Sequence, residues 1–249
     1  VTALTVGVTT ARDPACKRGL AANIAASLAR NSAASGRVCV VDADPIALDV
    51  STRLGVRAPL LEDFARPNRP TVAQLGHLFS PALEVLPCGG APVGRLHFAA
   101  EHALPELRDA FDVVVCDLPG GPAGPGSVVG SNLDLLDRLI LAVTPEPGAL
   151  AAARHFLEHF AEAQRRNAMG VELAVVCTGD ECSTELDVDD MQRALGVHVA
   201  ARIPQLWGRA EPNFGFGPAL AIPELDDAVS DLFVAFGLGT EYRPSFATV

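Results

Sequence analysis

Lysine is almost missing from this chain: Lys17 stands alone against eighteen arginines in 249 residues. Basic charge as a whole is short, 19 Lys and Arg facing 30 Asp and Glu for a formal net charge of -11. Binding nucleic acid without sequence preference needs a basic face, and a membrane-surface helix needs a Lys/Arg-rich polar side. The sequence shows neither; the pair Arg165-Arg166 reads as a solvated helix end. Long apolar runs are absent too: nothing approaches the ~18 consecutive apolar residues of an integral membrane segment, although 49% of the residues are hydrophobic. The first residues read as a strand, without the basic segment and apolar stretch of a secretory leader, so the expected location is cytoplasmic. Metal-binding spacing is lacking among the six cysteines, Cys16, Cys39, Cys88, Cys116, Cys177 and Cys182, which form no C-x-x-C pair and match no histidine spacing. That argues against structural zinc and against a disulfide framework. Cys39, Cys116 and Cys177 lie in apolar strand patterns, where cysteine acts as a small hydrophobe. Cys16 has cationic neighbours that would depress a thiol pKa, or it simply fills its loop.

What is present is an alternation. Short apolar runs occur at Leu4 to Thr9, Val38 to Val41, Leu83 to Leu86, Val113 to Cys116, Leu139 to Val143, Leu173 to Cys177 and Val199 to Ile203. Between and after them lie helical patterns: Gly19 to Arg30, Leu96 to Ala110, Gly148 to Asn167, Val188 to Leu195 and Leu225 to Phe236. Continuous apolar strands separated by helices predict an α/β fold, a doubly wound, mostly parallel sheet with helices on both faces in three layers. The length suits one domain covering 1–249. Ligands of such sheets bind at the carboxyl ends of the strands, which selects the residues to weigh.

Lys17 follows the first strand and precedes an Ala-rich helix, the place where a P-loop lysine grips phosphate. A working P-loop also needs glycines before the lysine, so that backbone N-H groups can close on the phosphates, and a Ser or Thr hydroxyl after it for Mg²⁺. Here the run is Ala11-Arg12-Asp13-Pro14-Ala15-Cys16-Lys17-Arg18. A codon bias favouring arginine would also leave one lysine by chance. Three carboxylates emerge at strand ends: Asp42 and Asp44 in Val40-Val41-Asp42-Ala43-Asp44-Pro45, and Asp117 in Val113-Val114-Val115-Cys116-Asp117-Leu118-Pro119-Gly120. The second has the form of a Walker B segment, whose carboxylate holds the water shell of Mg²⁺; an Asp also commonly ends a strand and caps the next helix.

In this order the segments resemble the ParA/MinD family of P-loop ATPases, and within it the branch of the pilus-assembly proteins CpaE and TadZ. The resemblance covers nearly the whole chain. Gly19 to Ala29 looks like the helix after the P-loop, Val40 to Pro45 with Asp49-Val50 and Leu54-Gly55 like the second acidic motif, and Phe111 to Gly120 like Walker B. Leu141-Ala142-Val143-Thr144-Pro145-Glu146 resembles the strand end that follows, and Ala194-Leu195-Gly196 through Ala201-Arg202-Ile203-Pro204 the segment before the base-side loop. The family's P-loop has the form K-G-G-x-G-K-[ST], its first lysine reaching phosphates in the partner subunit of an ATP-sandwich dimer. On this pattern Arg12 falls at the first lysine, Asp13, Pro14 and Cys16 at glycines, Lys17 at the phosphate lysine and Arg18 at the Mg²⁺ hydroxyl. The asparagine that meets adenine falls at Cys177.

The resemblance therefore implies Arg12, Lys17, Arg18, Asp117 and Cys177 as nucleotide-site positions, Asp42 and Asp44 as catalytic only if the site is active, and Asp42 with Asp117 beside Mg²⁺ only if the ion binds. Pro14 fixes φ and removes a donor where glycine would allow close approach, and Asp13 adds negative charge near a triphosphate. Arg18 cannot ligate a cation; its guanidinium is expected to replace Mg²⁺ by pairing with Asp42 or Asp117. The expectation is a pseudo-ATPase without cofactor, acting on a protein partner, itself or a ParA/MinD-like paralogue as a dimer, in the spatial organisation of a bacterial polar, division or secretion assembly. The alternative is a divergent ATPase that still binds ATP and Mg²⁺. A dinucleotide enzyme lacks its G-x-G-x-x-G loop. The loop from Pro119 to Gly126 and the segment Gln205 to Pro218, with Trp207, Phe214 and Phe216, are candidate contact surfaces.

Overall fold

The computed structural model describes residues 3–12, 17, 19–31, 36–46, 50, 59–77, 82–121, 133–167, 170–179, 186–203 and 223–237. The elements in chain order are β1 (Leu4–Thr10), α1 (Leu20–Asn31), β2 (Val38–Asp42), β3 (Gly76–His77), β4 (Leu83–Leu86), α2 (Val93–Ala110), β5 (Val113–Asp117), β6 (Arg138–Val143), α3 (Pro147–Asn167), β7 (Glu172–Thr178), α4 (Val188–Leu195), β8 (Val199–Ile203) and α5 (Pro223–Ala235). Short 3-10 turns occupy Leu61–Ala65, Val72–Gln74 and Leu133–Leu135. All seven apolar runs are strands and all five helical patterns are helices. The two-residue β3 was not legible, since Gly76-His77 carries no apolar run.

The strands form one sheet in the order β3-β4-β2-β5-β1-β6-β7-β8. Among the described residues seven strands are parallel and only β3 runs antiparallel, against β4. The central strands are mostly apolar because helices cover both faces; the departures lie at strand starts and ends and at the edges of the sheet, as with the exposed Glu172 of β7 and Arg202 of β8. One set, including Val114, Cys116, Leu139, Leu141 and Val175, packs under α2, α3 and α4. The other, including Val6, Val8, Val38, Val40, Val113, Val115, Ile140 and Val176, packs under α1 and α5. The fold is thus the three-layer α/β architecture that the alternation implies.

Local chemistry fixes the ends of the elements. Gly19 takes φ of 70°, left-handed backbone that suits glycine, and its carbonyl accepts from the Asn23 backbone N-H and from Asn23 Nδ2 at 2.7 Å. Asp187 caps α4 by accepting from the Asp190 N-H at 2.7 Å, and Gly196 closes that helix with φ of 69°. Among the described residues, no helix is long and apolar enough to cross a membrane.

Candidate functional site

The period-two alternation of β2 and β5 builds the site. Val38, Val40 and Asp42 point to the α1 face, as do Val113, Val115 and Asp117, and the parallel register sets Asp42 beside Asp117. Two carboxylates thus stand on neighbouring strands, ~4.8 Å apart in the hydrogen-bonding direction, with Asp42 fully buried and Asp117 2% exposed. The ladder is extended by the Ala43 N-H, which donates to the Asp117 carbonyl at 2.9 Å. Asp44, 1% exposed, turns the chain: its N-H donates to Asp42 Oδ1 at 3.2 Å, and its own Oδ1 accepts from the Ile46 N-H at 3.0 Å.

Lys17 enters this group from the start of the α1 layer. Its Nζ lies 2.6 Å from Asp117 Oδ1 and 3.0 Å from Asp44 Oδ2, and the residue is 2% exposed. Burial alone would lower the pKa of the amine, but Asp117 and Asp44 outweigh it and hold it above the ordinary 10.5. Burial pushes the Asp117 carboxyl up from 3.8 to about 7, against the pull of Lys17 and with the help of Asp42 and Asp44. The amine is therefore a cation committed to the protein's own carboxylates. An anionic ligand at Lys17 would have to share the amine with both carboxylates or displace one of them.

The remaining positions are dispersed. Arg12 is exposed just past β1 and lies against the first turn of α3, where a Cβ at Gly148 would collide with its guanidinium. The clash is with the tip of a flexible side chain, so a larger residue at 148 would re-aim Arg12 without straining the backbone. Cys177 is the penultimate residue of β7, two strands beyond β1, in the core under α2, α3 and α4. It is not brought to the carboxylates, and burial raises its thiol pKa against the influence of Arg202. Next to it the Thr178 hydroxyl is buried without a hydrogen-bond partner, which strand patterning did not single out. Pro119 and Gly121 are tied to the end of β1: the Thr9 hydroxyl donates to the Pro119 carbonyl at 2.9 Å, and the Gly121 N-H to the Thr10 carbonyl at 2.8 Å. Arg18, expected beside Asp42 or Asp117, lies outside the described residues, as do Asp13, Pro14, Cys16, Asp49, Leu54, Gly55, residues 122–126 and the segment 205–218. Among the described residues no group of three or more His, Cys, Asp or Glu is arranged to hold a metal.

The raised Asp117 has a signed consequence. Between pH 3.8 and about 7 the native carboxyl keeps a proton that the unfolded chain releases, so its contribution favours folding in acid and is lost as the pH rises through about 7. Asp117→Asn removes this titration. Urea-unfolding free energies should fall more steeply for the natural chain than for Asp117→Asn across that window, and parallel curves would refute the environment described for Asp117.

The fold and the cluster together place the molecule among known structures: the chain has the fold of the ParA/MinD ATPases. A ParA family ATPase from Chlorobium tepidum matches with a TM-score of 0.71 at 18% identity, over 92% of this chain and 96% of that one. MinD in the MinC:MinD cell division complex of Aquifex aeolicus matches at 0.73 and 16%, over 94% and 96%. The septum site-determining protein MinD of Pyrococcus horikoshii, complexed with Mg-ADP, matches at 0.73 and 17%, over 96% and 98%. No protein-family model matches the sequence, and no curated protein matches it.

Proposed function

We propose that this chain is a ParA/MinD-fold pseudo-ATPase that works by binding another protein. The observation carrying the proposal is the commitment of Lys17 to Asp117 and Asp44 at 2.6 and 3.0 Å in a buried cluster. In that arrangement the lysine's charge is compensated by the protein's own carboxylates and two of its three donors are engaged. The sequence around it agrees: Asp13, Pro14 and Cys16 stand where the resembling pattern has glycines, and Arg18 where it has the Mg²⁺ hydroxyl. The residue types present in this loop therefore suit MgATP poorly. The partner we favour is a second copy or a ParA/MinD-like paralogue, in the organisation of a polar, division or secretion assembly of the CpaE/TadZ kind. Partner binding suits the fold, since MinD of Aquifex aeolicus is seen in complex with MinC.

A divergent ATPase is the second reading. It is favoured by the gathering of Lys17, Asp44 and Asp117 in one cluster, with Asp42 in register beside Asp117. Titration calorimetry with ATP and Mg²⁺, beside a multiple-turnover phosphate-release assay, separates the two. The pseudo-ATPase reading expects no binding heat at millimolar nucleotide and no turnover above background. Turnover that vanishes in Lys17→Ala would establish the second reading and remove the first.

A further inference from the structure

We propose that His155 and His159 form a surface site for a divalent transition metal ion of the copper, nickel and zinc class. They are the only histidines of the six in this chain spaced four residues apart, and both lie within α3, a helix of 21 residues. Its inward stripe of Leu150, Ala153, Phe156, Phe160 and Ala163 is buried, which turns the intervening His155 outward and leaves His159 half-buried. An i, i+4 spacing puts both side chains on one face, one turn apart; the imidazoles meet edge to face at 75° with ring centroids 4.0 Å apart, so chelation requires the exposed His155 ring to turn about its side-chain torsions. Two histidines at this spacing on one helical face are the arrangement that chelates zinc in helical metal sites.

Orientation supports the same assignment. His159 Nδ1 lies 2.8 Å from the His155 carbonyl oxygen; a carbonyl only accepts, so Nδ1 carries the proton and neutral His159 keeps its lone pair on Nε2. A backbone carbonyl fixing the tautomer is the usual support behind a metal-binding imidazole. Of the other histidines, His97 Nε2 lies 3.4 Å from Glu101 and His198 Nδ1 is 2.6 Å from Gln192 Oε1; His102 Nδ1 makes the same contact as His159, 2.8 Å from the Phe98 carbonyl oxygen, but has no second histidine one turn away. Nearby carboxylates have arginine partners, Glu158 with Arg154 and Glu162 with Arg166. With no third ligand completing a cluster among the described residues, water would fill the open positions, and imidazole selects copper, nickel or zinc over magnesium.

The test is calorimetry on the untagged full chain with CuCl₂, NiCl₂, ZnCl₂ or MgCl₂ alone. One equivalent of copper should bind most tightly, nickel and zinc less so, and magnesium not at all. His155→Ala and His159→Ala should each weaken binding by about a hundredfold, because losing one of two linked ligands forfeits their effective concentration. His198→Ala should change nothing. Equal binding by the His155→Ala/His159→Ala double variant, or no binding at millimolar copper, would overturn the proposal. An independent reading on the unaltered chain is the histidine proton spectrum: substoichiometric copper should broaden the ring resonances of His155 and His159 selectively, and uniform broadening of all six would count against the site.

Discussion

Lys17→Met should destabilise the folded chain by about 3 to 5 kcal/mol near pH 8, the cost of removing one partner from a buried ion pair. The substitution keeps the length of the stem and deletes the charge that holds Asp117 at 2.6 Å and Asp44 at 3.0 Å. Asp42, in register with Asp117, adds negative potential at the same place. Pairing at the solvated surface is worth at most about 1 kcal/mol; burial of both partners makes this one larger. The penalty should shrink as the pH falls toward about 7 and level off below it, because Lys17 is among the influences that hold Asp117 down to about 7, and without the amine the carboxyl takes a proton already above that pH. Urea unfolding of Lys17→Met, Asp117→Asn and the double variant measures the coupling directly. The double variant should recover part of the loss, since neither group then leaves a charge of the pair stranded. A loss under ~1 kcal/mol for Lys17→Met would mean that water reaches the cluster, and the closed-site reading would lose its main support.

Much of this architecture is legible in the sequence because parallel strands covered on both faces must be apolar at consecutive positions. Val113-Val114-Val115-Cys116 and Leu139 to Val143 announce themselves that way, and a carboxylate just beyond such a run lies at the ligand-binding edge. Alternation also fixes that Asp42 and Asp117 share the α1 face. The partnership of Lys17 was not legible. Sequence position assigns the lysine to phosphate and Arg18 to the carboxylates, whereas the choice between ligand and internal partner is made by distance and burial. The approach of Arg12 to Gly148 was hidden for a related reason: it joins residues 136 apart in sequence, and only the adjacency of β1 and β6 brings them together.

Restoring the loop should open the site. A variant carrying Asp13→Gly, Pro14→Gly, Cys16→Gly and Arg18→Thr returns three positions at which backbone can approach a phosphate, removes one like charge and supplies a hydroxyl for Mg²⁺. If Lys17 then exchanges its carboxylates for phosphate, ligand at a hundredfold over Kd stabilises the chain by about 2.7 kcal/mol. For a protein of this size that corresponds to a rise of roughly 5 to 10 °C in melting temperature. The natural chain should show no rise with MgATP, and adding Lys17→Ala to the restored loop should abolish it. Arg18→Thr alone separates the two causes of closure: a full response from that single change would place the block at the arginine and not at the missing glycines. A folded restored variant that ignores MgATP would show that loop composition does not close the site, leaving the grip of Asp117 and Asp44 on Lys17 as the cause. A rise in the natural chain equal to that of the restored one would make this a nucleotide-binding protein, with Lys17 held by the carboxylates only until phosphate arrives.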